Sequence, residues 1–196
     1  MRFWIRISSF FKNIFRKRPL DPLIMFFKTE DKQGSADRED IFEIAKAVSN
    51  GDPEVVGAVR FILDEPIRYF HENSQKYRKR GIDFNNENFG DEFMVYDLLD
   101  LAAMDELESR GYVSRVSIGC GLSEFQSALA RIKDYDAIKS AAEGLELPED
   151  GDVAVWTEEL NAALGGRAYT VFIIDMVEEK FSLAITDRET FEKINE

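Results

Sequence analysis

The sequence predicts an α+β domain: several helices packed on one side of a small, partly antiparallel sheet, with a C-terminal β-hairpin and a final helix. Three observations carry this. "AYTVFIIDM" (168–176) and "KFSLAIT" (180–186) are apolar, rich in β-formers and joined by "VEE", a connection of hairpin length. "YVSRVSI" (112–118) alternates apolar and polar residues, as a half-buried strand does. Elsewhere apolar residues recur at helical spacing between start and stop signals, and the order helix–strand–helix then helix–hairpin–helix suits one small sheet with helices beside it.

Taken in order, a first helix of the main domain runs from about Arg38 to Val48, with Ile41, Phe42, Ile44, Ala45 and Val48 inward. Asn50-Gly51-Asp52-Pro53 stops it and starts the next, with Gly51 at the C-cap, Asp52 at the N-cap and Pro53 in the first turn. That second helix buries Val55, Val56, Val59, Ile62 and Leu63. Pro66 opens a third, carrying Ile67, Tyr69, Phe70 and Tyr77. Its basic end, Lys76, Arg78, Lys79 and Arg80, suits the negative end of a helix dipole. "GIDFNNENFGDEF" (81–93) fails as a calcium loop. In the frame from Asp83, Asn88 stands where glycine is required and Met94 where the bidentate glutamate belongs. It reads as a turn-rich loop, with Asp91 capping a long helix from Glu92 to Arg110 that Gly111 closes. In that helix Phe93, Tyr96, Leu99, Ala103 and Leu107 keep helical spacing. After the strand at 112–118, Ser123 is the expected cap of a helix with Phe125, Leu129 and Ile132 inward. A short helix spans 136–143, the acidic loop "ELPEDGD" follows, and a helix from Val153 to Leu164 ends at Gly165-Gly166. Asp187 caps the last helix, Arg188 to Ile194.

Ahead of the domain stands "RFWIRISSFFKNIFRKRP" (2–19). At 100° per residue, Phe3, Trp4, Ile7, Phe10, Phe11, Ile14 and Phe15 fall on one face, and Arg6, Lys12, Arg16 and Lys17 lie outside it. Arg6 and Lys12 interrupt the apolar run a signal peptide requires. The pattern fits a helix lying on an anionic membrane surface, or one packing on the protein's own core. The segment 1–27 is therefore set apart from a polar linker, 28–40, and from a single acidic domain, 41–196.

Charge divides the chain the same way. The net charge of 196 residues is -13, yet the first twenty residues hold six cations and no acid, leaving 19 basic against 38 acidic residues. Such a body repels phosphates, so nucleic acid is not an expected partner; a basic protein is. The single cysteine, Cys120, excludes an internal disulfide and Cys-rich zinc sites, and suits a reducing compartment. No apolar run approaches the roughly 18 residues that span a bilayer.

Chemistry-bearing residues are few. His71 is the one histidine and Cys120 sits in a Gly-Cys-Gly turn, so a Cys120–His71 pair, or Cys120 with nearby carboxylates, is the one nucleophilic arrangement to weigh. Asp97, Asp100, Asp105, Glu106 and Glu108 read as the solvated face of a helix, and Glu158 and Glu159 likewise. Asp97, Asp100, Glu158 and Glu159 are the candidate partner contacts. No H-x-x-x-H, C-x-x-C or phosphate-loop motif occurs, so no metal or cofactor is expected.

The run "LLDLAAMDELESRGYVSRVSIGCGLSEFQSAL", with "WTEELNAAL" and "YTVFIIDMVEEKFSLAITDRETFEKI", resembles a group of small bacterial domains of unknown function across residues 93–194. In those a long helix ends E-x-x-G-Y (here Glu108 to Tyr112), a strand follows, then an EF-x-x-AL helix (Glu124 to Leu129), and a terminal hairpin carries an aspartate (Asp175). Gly119-Cys120-Gly121 departs from them, since similar proteins carry charged residues there. The resemblance implies an α+β fold and carries over no catalytic residue, since those domains have no assigned activity. In size and acidity the chain is also similar in kind to bacterial immunity proteins that neutralise toxins. The expectation is thus a non-catalytic, toxin-neutralising or other protein-binding domain in a bacterial cytoplasm, with residues 3–17 at the inner membrane surface. An enzyme using Cys120, and a peripheral membrane protein, are the alternatives.

Overall fold

A three-stranded antiparallel sheet organises the chain, in the order β1–β3–β2. The computed structural model describes residues 36–82, 92–165, 167–177 and 179–195. The basic segment 1–27, most of the linker and the loop 83–91 with its Asp91 cap lie outside the described residues.

Helix α1 (Ala36–Val48) ends at a left-handed turn through Asn50 and Gly51, and the Gly51 N–H donates back to the Lys46 carbonyl. The Asp52 carboxylate then accepts from the Glu54 N–H at 2.9 Å and opens α2 (Pro53–Asp64), the stop-and-restart expected of Asn-Gly-Asp-Pro. The expected third helix is two short ones, α3 (Pro66–Glu72) and α4 (Ser74–Arg78). Asn73 divides them: its side-chain amide donates to the Tyr69 carbonyl, competing with the helix ladder. Helix α5 (Glu92–Ser109) ends at Gly111, whose φ of +78° is the left-handed closure expected there. Strand β1 (Val113–Ser117) and helices α6 (Leu122–Leu129), α7 (Tyr135–Ala142) and α8 (Val153–Leu164) follow. Ser123 does not cap α6: Gly121 occupies that position, with no side-chain cap bond. The hairpin β2 (Tyr169–Val177) and β3 (Lys180–Asp187) leads to α9 (Arg188–Asn195), capped by Asp187 as expected.

The expected α+β class, hairpin and final helix are all present. Helices nonetheless cover both faces of the sheet, not one, and both strand pairs are antiparallel. The register explains the second layer. Val113 pairs Ala184, and Phe172 pairs Ala184 from the other side; these join the core built on α1, α2, α3 and α5. Leu183 and Ile185, paired with Ile173 and Val171, join a second core with Phe125, Ile138, Trp156 and Leu160 of α6, α7 and α8. Ser182 through Thr186 are all buried, because β3 is central and covered twice.

Strand β2 is an edge, and α8 closes part of it. The Asn161 amide accepts from the Val171 N–H at 2.9 Å and donates to the Val171 carbonyl at 2.6 Å, as a neighbouring strand would. Asn161→Ala is expected to cost about 1–3 kcal/mol, since both groups of Val171 lose partners. Urea denaturation checks the cost, and faster amide exchange at Val171 locates it.

Candidate functional site

Helix α5 supplies the most unusual side chain of the fold. Its middle turns, from Leu98 to Asp105, are buried apart from the half-buried Asp100, because α1 and α2 pack on one side and β1 on the other. Asp105 therefore enters the interior, with 1% of its side chain exposed. The sequence suggested a solvated carboxylate; three cations explain the difference. Lys76 of α4 lies 3.0 Å from Oδ2, Arg80 donates to Oδ1 at 3.1 Å, and Arg115 of β1 donates to Oδ1 in a short contact. Arg115, itself 6% exposed, also donates through Nε to Glu108 at 2.9 Å. Burial alone would raise the Asp105 carboxyl, but Lys76 and Arg115 outweigh it and hold the group below the ordinary carboxylate value. Burial likewise works against the Arg115 charge, and Glu108 and Asp105 more than restore it. Both groups stay charged across the physiological range. The cluster is thus an ion-paired clamp between α4, α5 and β1, with no proton to exchange near neutral pH.

A second polar seam runs beside it. Tyr69 donates to Glu106 at 3.0 Å and meets the Tyr77 hydroxyl at 3.4 Å, while Arg110 joins Glu106 to Glu54. Tyr112 donates to Asp52 at 2.6 Å, tying the end of α5 to the cap of α2. Two of the basic residues read as dipole partners of a helix end, Lys76 and Arg80, thus serve a carboxylate far along the chain.

The residues singled out in sequence fall apart in space. Cys120 packs against the second core, and burial, together with the Glu124 charge, pushes its thiol up, away from the thiolate a nucleophile needs. His71 is exposed on α3, whose buried residues Tyr69 and Phe70 belong to the first core. Asp100 is half-buried on α5; Glu158 is half-buried and Glu159 exposed on α8. The side chain of Asp97, like residues 3–17, lies outside the described residues. Among the described residues no group of three His, Cys, Asp or Glu is placed to hold a metal ion, and no helix is long and apolar enough to cross a membrane.

The layer α6–α8 carries a different feature. Residues 120–165 hold ten carboxylates against three cations. Glu124, Asp136, Glu143, Glu146, Glu149, Asp150 and Glu159 are exposed. A cleft of about 240 Å³ opens on this layer, its floor formed by Leu129, Leu147 and Leu160 and its rim by Gln126, Tyr135 and Glu143. Trp156 holds the acidic loop in place, its indole N–H donating to the Pro148 carbonyl at 2.7 Å. The sequence showed the loop's charge but not the cleft, since Gln126, Glu143 and Leu160 are brought together only by the fold.

A family model described as a domain of unknown function, DUF6630, matches residues 40–196, a longer stretch than the one that carried the resemblance. No curated protein and no solved structure matches the chain.

Proposed function

The chain belongs to the DUF6630 family of domains of unknown function, and from that premise we propose that it is a non-catalytic domain that binds a basic protein partner through the α6–α8 layer. One observation carries the reading: a cleft with a leucine floor and Glu143 at its rim, in a layer where residues 120–165 hold ten carboxylates against three cations. Such a surface offers an apolar seat to one side chain and steers a cationic partner toward it. A basic toxin, with this chain as its immunity factor in a bacterial cytoplasm, is one partner of that chemistry. Residues 3–17 would hold the protein at the inner membrane surface. The ion-paired Asp105 clamp and the upward-shifted Cys120 thiol support a binding role over a catalytic one.

Affinity capture from native lysate by the full chain tests this. The expected result is a basic protein retained at low salt and released at high salt, because exposed charges are screened. Recovery of no protein partner would count against the reading.

A further inference from the structure

We propose that the corner formed by α3, α4 and the turn after them docks on an anionic lipid membrane, with Ile67 entering the headgroup layer and Lys76, Arg78, Lys79 and Arg80 against its phosphates. This goes beyond the binding of a basic partner. The corner belongs to the first core, on the opposite face of the sheet from the α6–α8 layer, and needs nothing from that layer.

Charge sets the corner apart. Residues 66–80 hold five cations against one acid, in a chain whose net charge is -13. Burial sorts the side chains. Tyr69, Phe70 and Tyr77 turn into the first core, with the Phe70 and Tyr77 rings 4.9 Å apart, and Ile67, His71, Gln75, Arg78 and Lys79 are left outside. The nearby acids are engaged, since Arg68 pairs with both Glu65 and Glu72. Among the described residues neither Arg78 nor Lys79 forms an ion pair. Lys76 and Arg80 hold Asp105, yet 38% and 27% of their side chains stay exposed. The buried carboxylate thus fixes two cations at the surface beside two unpaired ones. A further feature is apolar. Among the described residues, Ile67 is the one large apolar side chain left exposed, at 56%. A protein interface needs a desolvated core of several apolar or aromatic anchors, which one isoleucine does not supply. A membrane surface asks less: a cluster of about four basic residues and a shallow apolar insertion. The acidic body does not oppose this. A helix layer is about 10 Å thick, and the sheet lies between the corner and the α6–α8 carboxylates. They therefore stand farther off than the Debye length of about 8 Å at physiological salt. Docking in this orientation turns the acidic layer away from the lipid.

The test uses the full chain with Cys120→Ser and Ile67→Cys, labelled at position 67 with nitrobenzoxadiazole. It is mixed with vesicles of equal parts phosphatidylglycerol and phosphatidylcholine. Docking at this corner predicts a blue-shifted emission that a nitroxide-bearing lipid quenches. Vesicle affinity read from that shift should fall at least about tenfold when Arg78→Gln and Lys79→Gln are added. Neither side chain belongs to the Asp105 clamp, and unchanged circular dichroism shows that the variant is folded. Emission unmoved by these vesicles, moved equally in the variant, or moved equally by phosphatidylcholine alone would overturn the proposal. So would co-sedimentation that leaves the label in water, which assigns the membrane contact to residues 3–17. A shift produced by polyglutamate and not by vesicles would assign the corner to an acidic protein and overturn it too. Lysate capture reads the basic partner separately, and its failure leaves this docking standing.

Discussion

Asp105→Ala should destabilise the fold by about 3–5 kcal/mol, the cost of breaking a buried ion pair from one side. The reason is what remains. Arg115 stays almost wholly buried with only Glu108 beside it, and Lys76 and Arg80 lose the carboxylate that holds α4 against α5. The loss should not be repaired by shape alone: Asp105→Asn keeps the volume and removes the charge, and is expected to cost nearly as much. Replacing Asp105 and Arg115 together by Leu and Met should recover a large part, since paired ions exchange for apolar groups at little net cost. Urea denaturation of the three variants checks the order. The pH dependence has a defined sign. A carboxyl held below its ordinary value of 3.8 contributes stability that is complete above that value and lost as pH falls through the lower folded-state value. Asp187 and Asp52 are shifted the same way, by hydrogen bonds from Thr190 and from Tyr112. Stability should therefore decline below about pH 4, and less steeply in Asp105→Asn.

Trp156→Ala should cost a similar amount, about 3–5 kcal/mol, as expected for truncating a buried aromatic. Trp156 is 1% exposed, packs 5.3 Å from Phe125, and donates to Pro148 across the acidic loop. Truncation thus opens a cavity under α6 and α8 and releases the loop that carries Glu146, Glu149 and Asp150. Gly151→Ala probes the same contact without removing the ring. A Cβ there would stand 2.5 Å from the indole nitrogen, so the loop or the ring must shift. Thermal unfolding ranks the two variants, and a change in tryptophan emission in Gly151→Ala reports movement of the ring.

Much of the fold was legible because its signals are local. Asp52 and Asp187 cap the helices their positions announce, and Gly51 and Gly111 adopt the left-handed turns that end helices. The hairpin strands stood out by composition. What stayed hidden depends on residues far apart in sequence. The second helical layer follows from β3 being central, which the order of strands along the chain does not show. Asp105 looked like one of several surface acids because its cations sit far from it in sequence: Lys76 on α4, 29 residues before it, Arg80 in the turn after α4, 25 before it, and Arg115 on β1, ten after it. The cleft draws on α6, α7 and α8 and the loop between the last two, so no single segment announces it.

The most direct test of the account is lysate capture by the full chain beside a variant carrying Glu146→Gln, Glu149→Gln, Asp150→Asn and Glu159→Gln. These side chains are exposed and cap no helix, so the fold should be unchanged within about 0.5 kcal/mol each. If the α6–α8 layer binds a basic partner, the wild-type chain retains it and the folded variant loses it at least about tenfold, with the difference shrinking as salt rises. Equal retention by a folded variant would place the binding surface elsewhere and contradict the account.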